Sequence, residues 1–360
     1  MLYIYIIILI NLISFLNSKN IILPFNKLTI GDFNGLKTID DLINYNIYTN
    51  ISIGTPPQEV AHFIDPTSYN FNFQKKLVTY GNNKFSPYLK QYENLTNFWF
   101  KEKQSSTFKE NKKTGFYSDI YYFNNLKNET IKTSNIKYNI IKTHKNDAYK
   151  CGIIGLNNPL KIDFKLNKKE AYFINELKES GLITEYTFFI LYEDSFNTFN
   201  YNNDNNNYGV IIIGDSPHIL NPNKYKKEDL IIYKATDWSI PINNVTFYSP
   251  KGDFFQETID MQISMISGFI KGTTSYRLKI EEVFFNELIA KNLCKKDVFQ
   301  ENVYLTSFYV FSCENNYEVQ NYIKSFPILY FQLDNNLEFI FAYNDLFKEI
   351  DDKLYFMIIF

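Results

Sequence analysis

The stretch YNIYTNISIGTPPQEVAHFIDPTSYNFNF (45–73) decides the fold. It opens on the alternating run YNIYTNISIG (45–54), turns through Thr55-Pro56-Pro57, and continues as VAHFID (60–65), an apolar run ending on a carboxylate. Short alternating or apolar runs broken by turn residues are the mark of β architecture. The same pattern recurs in CGIIGL (151–156), YTFFILYE (186–193), GVIIIGD (209–215) and YVFSC (309–313). Helical signals are fewer. KKEAYFINELKESG (168–181) sets Ala171, Phe173, Ile174 and Leu177 on one face and stops at Gly181, and SYRLKIEEVFFNELIAKN (275–292) is similar.

Composition supports this reading and narrows the function. The 360 residues suffice for two domains or one large bilobal one, and 45% hydrophobic against 21% charged residues permits a substantial core. Aromatics reach 18%, which favours strands, although only 13 glycines are available for turns that need positive φ. A net charge of −2 with no basic stripe speaks against nucleic acid as partner. NYNNDNNNYG (200–209) reads as a surface loop expansion, and four Asn-x-Ser/Thr sequons begin at Asn50, Asn94, Asn128 and Asn244.

Residues 2–16 form an apolar run with the length of a signal-peptide core, so 1–18 is expected to direct the chain into the secretory pathway, as a secreted protein or one of a vesicular or vacuolar lumen. An uncleaved anchor is the alternative. At the other end, LYFMIIF (354–360) is too short for a membrane span and reads as a strand. Of three cysteines, Cys294 and Cys313 are the natural disulfide pair across a modest loop, which leaves Cys151 as a buried thiol.

Several chemistries lack any local signal. His62, His144 and His218 are too scattered for a metal cluster, and neither HExxH nor CxxC spacing occurs; no metal and no cofactor are expected. The nucleophile elbow, the phosphate-binding loop and the dinucleotide fingerprint are missing too. His62, inside an apolar strand, reads as a core residue.

The opening stretch resembles the start of the pepsin family of aspartic proteases, in plasmepsin-like form, where a strand, Ile-Gly-Thr-Pro-Pro-Gln, a second strand and Asp-Thr-Gly-Ser follow in order. IGTPPQ is intact at Ile53–Gln58, and Asp65 stands where the first catalytic aspartate belongs. SSTF (105–108), CGIIGLNNP (151–159), ELKESGLITEYTFFILYE (176–193), GVIIIGD, DWSIPINNVTF (237–247) and GTTSY (272–276) resemble later family segments in the right order, and Cys294–Cys313 fits the second-lobe disulfide. The resemblance implies a mainly β, bilobal pepsin-like fold, with 19–44 as a short pro-segment remnant, 45–225 as the N-terminal lobe and 226–360 as an incomplete C-terminal lobe truncated at its end. ILPFNKL (22–28) faintly resembles the beginning of an inhibitory pro-segment. The implied partner is a peptide or protein held in the interlobe cleft by a monomer.

Hydrolysis in that family needs two close carboxylates sharing a proton, one acting as base toward water and the other as acid, the long-established behaviour of pepsin. Counting back from GTTSY places Ser264, in QISMISG (262–268), at the second aspartate, and a serine has no comparable titratable group. A rival alignment uses Asp260 as the second carboxylate. The first motif is altered as well, to Asp65-Pro66-Thr67-Ser68, and neither Pro66 nor Met265 supplies the hydroxyl that joins the two motifs in the family. The flap between SSTF and KTGFYSDIYYF (113–123) is trimmed, with Tyr117 as a weak substitute for the flap tyrosine. The leading expectation is an inactive or severely impaired homologue with a peptide-binding role. The alternative is an active endopeptidase hydrolysing peptide bonds in proteins with Asp65 and Asp260 or another carboxylate, and a third reading is a decaying gene whose product folds poorly.

Overall fold

The computed structural model describes residues 19–28, 46–65, 71–74, 100, 102–112, 116–126, 129–133, 135–141, 152–157, 171–192, 208–220, 223–224, 239–248, 254–262, 270–300, 307–333 and 338–360. The protein is mainly β. The described residues up to 224 form one compact unit, and those from 239 onward form a second.

In the first unit the strands are β1 (Ile21–Leu28), β2 (Asn46–Ile53), β3 (Gln58–Asp65), β4 (Phe71–Gln74), β5 (Lys109–Asn111), β6 (Phe116–Asp119), β7 (Tyr121–Asn124), β8 (Thr130–Lys132), β9 (Ile136–Ile141), β10 (Gly152–Gly155), β11 (Phe188–Tyr192) and β12 (Gly209–Ile213). They pair in the order β11-β12-β1-β7-β2-β3-β10-β4-β9-β6-β5, with β8 on β7. β12, the GVIII of the sequence, pairs with both β11 and β1 and is buried along its whole length, on both faces of the sheet. Burial of both faces accounts for a continuous apolar run in place of alternation. ILPFNKL lies within β1, in the middle of the sheet, with Ile21, Ile22, Leu23 and Phe25 buried. Helix α1 (Phe173–Glu179) buries Phe173, Ile174 and Leu177, the face expected from the sequence. It ends before Gly181, whose φ of 71° is left-handed. A second, single-turn helix, α2, spans Pro217–Leu220.

In the second unit the strands are β13 (Ser239–Tyr248), β14 (Phe254–Gln262), β15 (Ile270–Lys271), β16 (Cys294–Gln300), β17 (Ser307–Glu314), β18 (Leu329–Leu333), β19 (Glu338–Phe341), β20 (Phe347–Ile350), β21 (Lys353–Phe356) and β22 (Ile358–Ile359). Three sheets result: β14-β13-β18-β19, β15-β22 and β16-β17-β21-β20. The terminal LYFMIIF supplies β21, held between β17 and β20, and β22, which pairs in parallel with β15; Phe356, Ile358 and Ile359 are buried.

Helix α3 (Thr274–Ile280) runs through a π-helical stretch, Glu281–Phe285, into α4 (Asn286–Ala290). Tyr276, Ile280, Phe284 and Leu288 are all buried. Their four-residue spacing overshoots an α-helical turn by about 0.4 residue, and the wider π turn absorbs the drift so that all four stay on the core side. Around them pack Phe285 and Phe311, stacked at 4.0 Å between ring centroids, together with Phe326, Phe347 and Phe356. Helices α5 (Tyr317–Ile323) and α6 (Tyr343–Leu346) complete the unit.

Asn and Asp carry several turns that glycine would otherwise make. Asn135, Asn292, Asp351 and Asp352 all have positive φ. Asp351 and Asp352 form the two-residue link between β20 and β21, where both central residues need that conformation to match the strand twist.

Candidate functional site

The turn between β2 and β3 is built by IGTPPQ. Gly54 has φ of 86°, and a Cβ there would fall 2.8 Å from Ser105 Oγ. Only glycine satisfies both the left-handed backbone and the close approach. Gly54 N–H donates to Ile120 O at 2.8 Å, and the Thr55–Pro56 peptide is cis.

SSTF holds this turn from the side. Ser105 Oγ accepts from Thr55 N–H at 3.1 Å, and Thr55 O accepts from Ser106 N–H at 2.8 Å and from Ser106 Oγ at 3.0 Å. Beneath them lies Asp119, the fully buried last residue of β6. Its carboxylate accepts from Ser105 Oγ at 2.8 Å, Thr107 Oγ1 at 2.5 Å and Ile120 N–H at 2.8 Å. A buried carboxylate is stable in the interior when donors surround it in this way. The reading of the sequence did not single out Asp119. Its signal was an acid inside the aromatic run FYSDIYYF, where a charge needs partners.

From the clamped turn, β3 runs through Val60, Ala61, His62, Phe63 and Ile64, all buried, to the half-buried Asp65. β10 lies beside it in parallel, with Gly155 opposite Asp65 and Leu156 N–H donating to Asp65 O at 3.0 Å. On the other side of β10 is β4, antiparallel to it, and β4 in turn runs parallel to β9. Asp65 thus closes an apolar strand whose start is locked by the turn and whose end is pinned by the neighbouring strand. No protein-family model and no curated protein matches the chain. What the site does therefore rests on its own geometry and on the residues of the sequence.

His62 is a core residue, as its apolar strand suggested. It is fully buried, lies opposite Thr49 of β2, and its Nδ1 is 3.0 Å from Val60 O. Burial pulls its imidazole down to about 4, so the ring is neutral at ordinary pH. Tyr117 packs in β6, stacked between Phe108 and Tyr138.

Among the remaining sequence-predicted residues, Asp260 lies inside β14 with its backbone opposite Pro241, two residues before the strand ends, whereas Asp65 is the last residue of its strand. Ser264, Met265, Pro66, Thr67, Ser68, Cys151, His144 and the apolar run 2–16 lie outside the described residues. Cys294 and Cys313 form the expected disulfide, opposite each other on β16 and β17. GTTSY starts α3: Thr273 caps the helix by accepting from Tyr276 N–H at 3.2 Å, while Thr273 and Ser275 both donate to the Glu257 carboxylate of β14 at 2.5 Å. Among the described residues no group of three or more His, Cys, Asp or Glu is placed to hold a metal, and no helix is long and apolar enough to cross a membrane.

Proposed function

We propose that this chain is a pepsin-type aspartic peptidase homologue, bilobal in fold, that has lost peptide-bond hydrolysis and retains a peptide-binding role. The observation that carries the reading is the placement of Asp65. It ends the strand that follows IGTPPQ, beside Gly155 of β10 and downstream of a turn clamped by SSTF and Asp119. An acid held this rigidly suits a site in which position matters. The loss of catalysis rests on the sequence, which offers Ser264 where a second carboxylate would share the proton of Asp65, and Pro66 where a hydroxyl would join the two motifs. General acid–base groups contribute about 10²–10⁴-fold, and groups that act as a unit fail together. The Cys294–Cys313 disulfide supports passage through an oxidising, secretory compartment.

A peptidase assay on the purified protein between pH 3 and 6, with an unfolded protein as substrate, tests this reading. The expected result is turnover no greater than that of Asp65→Asn. Turnover that Asp65→Asn abolishes would replace it with the active endopeptidase, and Asp260→Asn would then show whether Asp260 is the second carboxylate.

A further inference from the structure

We propose that Asn50 is an N-glycosylation site, carrying an oligosaccharide on its side-chain amide, and that the sequon at Asn244 stays bare in the folded protein. The attachment rests on the reading of the chain as one that enters the secretory pathway and is independent of the role of Asp65.

The acceptor sequence Asn50-Ile51-Ser52 lies within β2, whose successive side chains point to opposite faces of the sheet. Ile47, Thr49, Ile51 and Ile53 are buried on the core face. Asn50 is exposed on the other face, between the half-buried Tyr48 and Ser52. The backbone of Asn50 is opposite Ala61 of β3, so the ladder fixes the main chain and leaves the amide to project from the sheet. A bulky, hydrated group on its Nδ2 extends outward without displacing a core side chain. The hydroxyl that the acceptor motif requires two residues later belongs to Ser52, on the same face.

Asn244-Val245-Thr246 has the same motif in a different setting. It lies in β13, between β14 and β18. Asn244 is half-buried; its Nδ2 donates to Gln332 Oε1 at 3.3 Å, and its Oδ1 accepts from Gln256 Nε2 at 2.5 Å. Three amides thus form a chain across three strands, and the nitrogen that would carry a sugar is the one that donates to Gln332. A glycan there has to push the amide out of the chain and break both bonds, so the folded sheet excludes it. Asn94 and Asn128 lie outside the described residues.

The step at Asn50 is a group transfer from a polyprenyl-pyrophosphate-linked oligosaccharide. Asn50 Nδ2 forms a bond to the anomeric carbon of the first sugar while the bond from that carbon to the pyrophosphate oxygen breaks. The amide gives up one proton, and the lipid pyrophosphate leaves. The product keeps one N–H on the amide and places a neutral, strongly hydrated chain over the outer face of β2.

The test translates the full-length chain in the presence of microsomes from a glycosylating cell and removes unprotected material with protease. The protected, soluble, disulfide-linked chain is then treated with a peptide N-glycosidase in heavy-oxygen water, which converts each glycosylated asparagine into a labelled aspartate, and its peptides are read by mass spectrometry. The expected result is label at Asn50 and none at Asn244. Asn50→Gln and Ser52→Ala are each expected to lose one glycan step on electrophoresis, and Asn244→Gln to lose none; neither readout depends on the variant reaching its native fold. A protected chain with an unlabelled Asn50 overturns the proposal and leaves the secretory reading standing. A chain that stays open to protease overturns both. Label at Asn244 in the soluble, disulfide-linked chain overturns the exclusion by the β13 amides.

Discussion

Ser105 donates to the buried carboxylate of Asp119 at 2.8 Å while its oxygen accepts from Thr55 N–H at 3.1 Å. One hydroxyl thus joins a buried charge in β6 to a turn formed fifty residues earlier in the chain. Asp119→Ala leaves the hydroxyls of Ser105 and Thr107 without their shared acceptor. The expected loss is about 2–4 kcal/mol in denaturant unfolding of the first unit, against about 1–2 kcal/mol for Ser105→Ala.

Gly54→Ala tests the turn itself. The new Cβ meets Ser105 Oγ at 2.8 Å on a backbone of φ 86°. A left-handed non-glycine residue alone costs about 1–2 kcal/mol, and the clash adds to it. Ser105→Gly removes the clashing side chain together with its hydrogen bonds, so the double variant Gly54→Ala/Ser105→Gly is expected to lose less than the sum of the two single variants, measured as a shift of the unfolding midpoint.

His62 makes the first unit acid-sensitive. Its folded pKa of about 4 lies below the ordinary 6.5, so the unfolded chain binds the proton more readily. The contribution to stability is complete above pH 6.5, falls as pH drops toward 4, and amounts to about 3 kcal/mol across that window. His62→Leu is expected to flatten the stability profile between those limits. Glu176, raised by burial, acts in the opposite sense and favours the fold as pH falls.

The Cys294–Cys313 disulfide closes a loop of sequence separation 19. A loop of that length constrains the unfolded chain by about 3 kcal/mol. Reduction, or the Cys294→Ser/Cys313→Ser pair, is expected to lower the thermal midpoint of the second unit and leave that of the first unchanged.

How much of this was legible in the sequence depended on how local each signal was. β3, β10, β12, α1 and the long α3–α4 helix each carry their periodicity within one run, and each lies close to where the sequence suggested. β1 was harder to read, because Pro24 in IILPFNKL argues against a central strand. The structure tolerates it where β1 changes neighbour on one side, between the Ile22–Asn124 and Asn26–Tyr48 pairings. The π-helical stretch left only the four-residue spacing as a trace. At the site, Asp65 was legible through its distance from IGTPPQ. Asp119 was not, because its donors come from Ser105 and Thr107 in a separate segment, and a lone acid in an aromatic run does not name its partners.

The position of β1 also governs the order in which the molecule can assemble. Ile21 pairs with Ile213, and Asn20 donates to Asp215 at 2.6 Å across 195 residues of chain. At about 5–20 residues per second of synthesis, β1 leaves the ribosome roughly 10–40 seconds before its partner strand exists. During that interval the edge of Ile21–Phe25 that faces β12 stays uncovered, although Asn26–Leu28 can already pair with β2 and Ile22 with β7. β1, the earliest of the described strands, thus has one edge that is completed only when β12 arrives, so the yield of native protein depends on whatever shields that apolar edge until then.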